Sequence, residues 1–516
     1  MKKLTFLLGF LFVSSFLIAQ DKQTVINNII QEVEQNSQVE QLAYELLDVI
    51  GPRLVGTPQQ KKAHDWAVEK FKSWGISVEN QQYGTWRGWE RGVTHIDMVY
   101  PRVKSLMGMQ LAWSAPTPRR GITAEVVTLP DNIRDSVSFA RWLPSVKGKF
   151  VLVSMPQMTG RPDYNWEEFA KEASFEKMKE ERAVQTEQWN QNIRNTGYNA
   201  RTLDAALENA GAVGIIQSQW SRAFGANKIF GARVKKIPTI DILLEDYGTL
   251  YRLAHNGAKP QIRLYAEAKE LGEVPTFNTV ATLPGTEKPD EYIILSAHYD
   301  SWDGGTGATD NGTGSVTMME IARILKKHYP NPKRTIIVGL WGGEEQGLNG
   351  SRAYVKDNPH IVDNLQVLFN QDNGTGRVVS INGQGFLHAY DFLGRWLHDV
   401  PAQFKEGLET TFPGTPSGGG SDHSSFVAAG APAFMMSSLS WSYWNYTWHT
   451  NLDTYDKIVF DDVKNNVALI AIMTYLASED PERTNREKAN LPINPRTGEQ
   501  MNWPAQRDGN RRGGLD

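Results

Sequence analysis

YIILSAHYDSWDGGTGATDNGTG, residues 292–314, decides the reading. The apolar run Tyr292 to Leu295 leads straight into nineteen residues, 296–314, that carry one histidine, three aspartates and five glycines. A short apolar run of this kind reads as a buried strand, so His298 and Asp300 stand at its carboxyl end. Asp310 follows on a loop whose glycines let it fold back onto its own start.

Downstream of this stretch, strands and helices alternate. The spacing predicts a helix over 315–327, a strand over 334–341, a short helix over 348–356 and a strand over 365–370. Further helices are expected over 390–404 and 463–478, with a strand over 431–437 between them. The alternation implies an α/β fold: a mixed, largely parallel sheet covered by helices on both faces. Upstream, helical patterns run from Val25 to Val49 and from Gln59 to Trp74, and residues 21–118 with 269–483 are read as one discontinuous unit. Residues 119–268 differ in texture. Short β-branched runs such as Gly214-Ile-Ile-Gln predict a small β-rich domain inserted into the larger one, with a charged helical excursion over about 165–200. Residues 484–516, rich in Pro, Asn, Arg and Gly, lack periodicity and are expected to form a loosely attached extension.

Composition narrows the chemistry. A length of 516 residues implies more than one core. The net charge of -4 gives no basic footprint for nucleic acid. Residues 1–20 have the layout of a cleaved signal peptide: Lys2-Lys3, an apolar run from Leu4 to Ile18, then Ala19-Gln20. No other stretch is long and apolar enough for a membrane span, so the mature chain is expected to be secreted or periplasmic without a transmembrane segment. With no cysteine, any metal must sit on His, Asp and Glu.

The acidic and imidazole candidates gather at one sheet edge. The first strand ends at His298 and Asp300, the second at Gly342-Gly343-Glu344-Glu345, the third at Gln371-Asp372, and the strand over 431–437 leads to a loop with His449. Ligands of parallel α/β sheets bind outside the carboxyl ends of the strands. Two histidines with carboxylates suit zinc or a similar divalent ion. His298, Asp310, Glu345, Asp372 and His449 are too many for one open catalytic zinc but suffice for two metals sharing a carboxylate, and Asp310 is the natural bridge. Asp300 can accept the far imidazole N–H and fix the tautomer. Adjacent glutamates do not easily reach one metal, so one ligates and the other acts as general base, a role assigned to Glu344. Rivals fail: the last glycine of a GxGxxG loop is replaced by Asp310, no GxSxG elbow exists, and the consecutive Ser421-Asp422-His423 cannot converge as a triad. His423, beside Gly418 to Gly420, and Tyr446 are candidates for substrate binding. Trp302, Trp441 and Trp444 suggest an apolar pocket.

These residues resemble a known family. The opening stretch, LWGGEEQGLNGSRAY (340–354), FNQDNGTG (369–376), GGGSDHSSFVAAGAPAF (418–434) and WHTNLDTYDK (448–457) look like the motifs of co-catalytic zinc exopeptidases, and Gly51-Pro52-Arg53-Leu54 extends the likeness towards the start. That group includes aminopeptidases and glutamate carboxypeptidases. The resemblance implies a three-layer zinc-exopeptidase fold and two zinc ions. His298, Asp310 and Asp372 would share one, Asp310, Glu345 and His449 the other, with Glu344 as base. ALENAGAVGIIQSQ (206–219) and IPTIDILLEDYGTL (237–250) make the inserted block similar to a protease-associated (PA) domain. The expected function is an aminopeptidase acting on peptides. The alternatives are a dipeptidase or carboxypeptidase of the plasma glutamate carboxypeptidase type, and a non-catalytic peptide- or protein-binding homologue.

Overall fold

The strands expected around the opening stretch form the centre of the main sheet in the computed structural model of the protein, which describes residues 22–514. The expected signal peptide lies outside the described residues. Lys288–His298 pairs in parallel with Arg334–Trp341 on one side and Leu365–Asn370 on the other, and Leu365–Asn370 pairs in parallel with Ala433–Ser438. Antiparallel strands flank this core, Gln261–Leu283 beyond Arg334–Trp341 and Val378–Asn382 beyond Ala433–Ser438. The fold is thus α/β with a mixed, largely parallel sheet.

The period-2 pattern of these strands sorts their side chains onto two cores. Ile293, Leu295, Ile336, Val338, Val367 and Phe369 pack with the helices Thr313–His328 and Phe460–Glu479 on one face. Ile294, Ile337, Trp341 and Leu368 point the other way, onto Tyr354 and Phe426 from the helices Asn349–Asp357 and His423–Ala428. Both faces being covered, the strands are apolar throughout, as parallel strands must be.

Two strands escape that pattern. Ser77–Tyr100 and Gln261–Leu283 pair antiparallel along almost their whole length. Near their Ser77 and Leu283 ends they belong to the main sheet; near Tyr100 and Gln261 they join Ile122–Thr128, Phe150–Leu152, Gly214–Gln217 and Thr239–Ile242. The change of texture expected at residue 119 therefore begins on the strand Ser77–Tyr100. The helical excursion is present as Asp163–Phe169 and Glu172–Asn195.

The C-terminal segment differs most from expectation. Arg512–Gly513 adds to the sheet in parallel with Thr85 and Trp86. Trp503 packs edge-on against Phe386 and donates its indole N–H to the Val427 carbonyl at 2.8 Å. A segment without periodicity can still be held firmly when its contacts are made one anchor at a time.

Candidate metal centre

Each candidate ligand stands just beyond a strand end or on the loop that follows it. His298 closes its strand, Glu344 and Glu345 follow Trp341 by three and four residues, and Asp372 lies two beyond Asn370. Asp310 returns to this edge because both ends of its loop are tied down. The fully buried Arg53 guanidinium donates to the carbonyls of Tyr299, Thr306 and Gly307 at 2.8–2.9 Å. Asp453 accepts the Thr309 and Asp310 amides at 2.8 and 3.0 Å, one on each carboxylate oxygen. Gly305 and Gly307 are required here: a Cβ on Gly305 would lie 2.5 Å from the Asp453 carbonyl, and Gly307 has φ +63°.

The result is two clusters that share one carboxylate. His298 Nε2 lies 3.0 Å from Asp372 Oδ1 and 3.3 Å from Asp310 Oδ1. His449 Nε2 lies 3.3 Å from Asp310 Oδ2 and 2.8 Å from Glu345 Oε2. Ligands at about 2.0–2.1 Å around a tetrahedral ion sit roughly 3.3 Å from one another, so both triads have the spacing that would surround an ion. Among the described residues these are the two groups of His, Asp and Glu side chains able to hold a metal, and Asp310 belongs to both. Asp310 Oδ2 and Glu345 Oε1 are buried without a hydrogen-bond donor, which is costly for a carboxylate unless a cation is meant to face it.

Burial sets the electrostatics. It pushes Glu344 and Glu345 well above the ordinary carboxyl range; Asp372 and Asp422 add to this at Glu344 and Asp310 does so at Glu345, while His298 works the other way on both. Burial opposes a charge on His298, but Asp372 and Glu344 outweigh it and hold the imidazole well above its usual basicity. At His449 burial prevails and its basicity falls. Asp422 is pushed by burial up to about 7, with His298 and the Ser351 hydroxyl working the other way.

Asp300 differs from expectation in what its carboxylate touches. His298 Nδ1 meets the Asp300 backbone carbonyl at 3.0 Å, whereas the carboxylate is 3.8 Å away. The carboxylate oxygens accept the Glu344 and Glu345 amides at 3.1 and 3.3 Å instead. The tautomer of His298 is therefore fixed by a main-chain acceptor, and Asp300 orients the two glutamates.

A cavity of about 380 Å³ opens over the clusters. Asp310, Glu344, Glu345, Asp372 and His449 line it, with Tyr443, Trp444 and Trp448 on one wall. Gly418 to Gly420, Arg352 and Arg507 form another part of the lining. His423 and Tyr446 are not among the lining residues. His423 is buried below the glycine run, and the Tyr446 hydroxyl is 2.8 Å from that of Tyr164 in the helical excursion. Trp441 is exposed, and Trp302 lies edge-on to Phe230 near His449. The His449 loop, where His449 itself has φ +56°, is held by a remote segment: Ile229 donates to the His449 carbonyl at 2.7 Å, and Lys228 donates to the Trp444 and Trp448 carbonyls at 2.8 and 2.9 Å. Neither Asp453 nor Lys228 stood out in the sequence as a functional residue. Asp453 lies inside the motif that contains His449, whereas nothing near Lys228 signals its role.

Residues 278–474 match peptidase family M28. Carboxypeptidase Q of Homo sapiens is 28% identical over 473 residues, covering 90% of this chain and 90% of its own, and that of Rattus norvegicus is 29% identical over 357 residues, covering 68% of each. A peptidase M28 precursor from Shewanella amazonensis SB2B shares the fold with a TM-score of 0.64 at 24% identity, over 90% of this chain and 98% of that one. BSAP, a zinc aminopeptidase from Bacillus subtilis, does so with a TM-score of 0.55 at 19% identity, over 87% and 97%.

Proposed function

We propose that the chain, whose residues 278–474 match peptidase family M28, is a two-metal exopeptidase that removes the N-terminal residue of peptides. The observation that carries this reading is the sharing of Asp310 between two carboxylate–imidazole triads. The donor set, nitrogen and oxygen without sulfur, fits zinc or a similar divalent ion, and the unpartnered oxygens of Asp310 and Glu345 fit a cation facing them. Bound there, two such ions supply Lewis acidity, stabilising charge on a scissile carbonyl and making water easier to ionise.

The remaining work falls to the chain's own side chains. Glu344, a member of neither triad, is the base: it takes a proton from a water in the cleft and delivers it to the leaving amine. Its position suits this: it lines the cleft beside Glu345 without belonging to either triad. Asp300, through the Glu344 and Glu345 amides, fixes where both carboxylates stand. Trp444 and Trp448 offer apolar surface to the substrate side chain, while Tyr443, beside Asp310, can donate to an oxygen developing charge. The layout of residues 1–20 supports export to the periplasm or outside the cell. Among the described residues no helix is long and apolar enough to cross a membrane.

A second reading, a dipeptidase or carboxypeptidase, is favoured by the Carboxypeptidase Q relatives. The two-metal assignment is tested with Glu344→Gln. This variant is expected to bind two equivalents of zinc by mass spectrometry of the native protein and to lose activity about 10²- to 10⁴-fold. Near-normal turnover would remove Glu344 from its role, and a single equivalent in the wild type would remove the bridge.

A further inference from the structure

The C-terminal segment brings an arginine to the cleft. Residues on both sides of Arg507 are pinned: Trp503 by its contacts with Val427 and Phe386, and Asn510 by its amide, which donates to Asn349 Oδ1 at 2.7 Å. Asp508 pairs with Lys356 and Arg511 with Asp357, both at 2.7 Å. Among the described residues, Arg507 itself has no hydrogen-bond or ion-pair partner; nor does the guanidinium of Arg352, half-buried on the helix Asn349–Asp357. Both side chains line the cavity over the metal ligands, and both line a second cavity of about 280 Å³ formed where the C-terminal segment crosses the body.

Exposed Arg507 and half-buried Arg352 thus place two unpaired guanidinium groups on the lining of one cavity, where an anion can bridge them. The groups facing Arg352 are Arg507, which opposes its charge, and Asp422 and Glu344, which favour it; burial and the Arg507 charge together lower its basicity. Neither carboxylate is within ion-pairing distance of Arg352, so the forked donors are left for a ligand. A guanidinium presents its N–H groups in the geometry that a carboxylate accepts two at a time.

We propose that Arg352 and Arg507 form a subsite that recognises a substrate carboxylate on the leaving-group side of the scissile bond, with the C-terminal segment serving as part of the active-site wall. The inference rests on the exopeptidase reading and adds to it the substrate class: peptides whose second residue carries a carboxylate, either the free C-terminus of a dipeptide or an acidic side chain. Arg507 and Arg352 are specificity residues in this account, because they touch substrate away from the reacting atoms.

Two substrate pairs separate the sources of the carboxylate. Alanyl-alanine against its C-terminal amide reports on the terminal group, and alanyl-glutamic amide against alanyl-glutamine amide reports on the side chain. In zinc-loaded wild type, kcat/KM for the carboxylate member of at least one pair is expected to exceed that of its neutral partner by about 10-fold or more, the size of a charge-assisted hydrogen bond. Arg507→Ala and Arg352→Gln should each lower that ratio by about 10-fold, through KM, with circular dichroism and Tm confirming that the variants are folded. A wild-type ratio near one in both pairs, or a ratio unchanged in either variant, would overturn the paired subsite. Wild-type enzyme inert towards all four substrates would overturn the exopeptidase reading, and this inference with it.

Discussion

A carboxylate that accepts main-chain amides governs the site at the scale of single residues. Asp453 takes the Thr309 and Asp310 amides, and Asp300 takes those of Glu344 and Glu345, so the proposed ligands and base are aimed by acids that stand in neither triad. In Asp453→Asn one oxygen becomes an NH₂ group facing an N–H donor. Supporting changes of this kind typically cost about 10- to 100-fold in metal affinity, and competition with a zinc chelator should show a loss of that size. Unchanged affinity would mean that Asp453 serves only the loop. At this scale the sequence was legible where chemistry restricts residue type: His298, Asp310, Glu345, Asp372 and His449 come together in two triads. It was not legible where two acceptors compete locally. The spacing of His298 and Asp300 cannot tell a side-chain carboxylate from the carbonyl of the same residue, and the carbonyl is the nearer. Nor could spacing tell that Tyr446 turns to Tyr164 while Tyr443, three residues earlier, enters the cleft.

Among elements, the strands buried on both faces were the easiest to read, because a continuous apolar run ending in acidic residues is too short for a buried helix and too apolar for a surface strand. Arg334–Trp341 and Leu365–Asn370 have the bounds expected of them. Ser77–Tyr100 was hidden because most of its residues are at least partly exposed and it is interrupted by Gly84, Gly88 and Gly92, so it shows neither an apolar run nor a sustained alternation. The first helix, Lys22–Asn36, is joined to Thr313–His328 by a buried charge cluster. Arg323 donates to Glu32 at 2.7 Å and to Glu320 at 2.8 Å, and Lys327 and His328 also reach Glu32. Burial raises the Glu32 carboxyl, but the bonds from Lys327, Arg323 and His328 outweigh it and bring it from 4.5 to about 2. Because the folded value lies below the unfolded one, the cluster's stabilisation is full above about pH 4.5 and is lost as pH falls towards about 2. Glu32→Gln should therefore cost roughly 3 kcal/mol near neutral pH, since each tenfold difference in proton affinity between the folded and unfolded chain is worth about 1.4 kcal/mol. Urea unfolding between pH 7 and pH 3.5 should show the gap to wild type narrowing below about pH 4.5. A gap that stays constant across that range would contradict the cluster's role.

Over the whole molecule, the cleft is assembled from three distant parts of the chain. The main sheet supplies the proposed ligands, residues 227–230 brace the His449 loop, and the C-terminal segment adds Arg507 to the wall. Only the first was legible in the sequence, because sheet edges follow from strand pattern. The other two depend on where remote segments land. A lysine that donates to two carbonyls, and a tryptophan that anchors an aperiodic segment, look like ordinary surface residues until the chain is folded. This assembled cleft is proposed to hold two metals and one base and to recognise a free peptide N-terminus. Its most direct test is mass spectrometry of free and N-acetylated peptides of two to eight residues after incubation with zinc-loaded enzyme comprising residues 21–516. Stepwise loss of N-terminal residues from the free peptides and none from the acetylated ones is expected of an aminopeptidase, whereas cleavage confined to dipeptides is expected of a dipeptidase. Acetylated peptides cut as readily as free ones would contradict recognition of a free N-terminus.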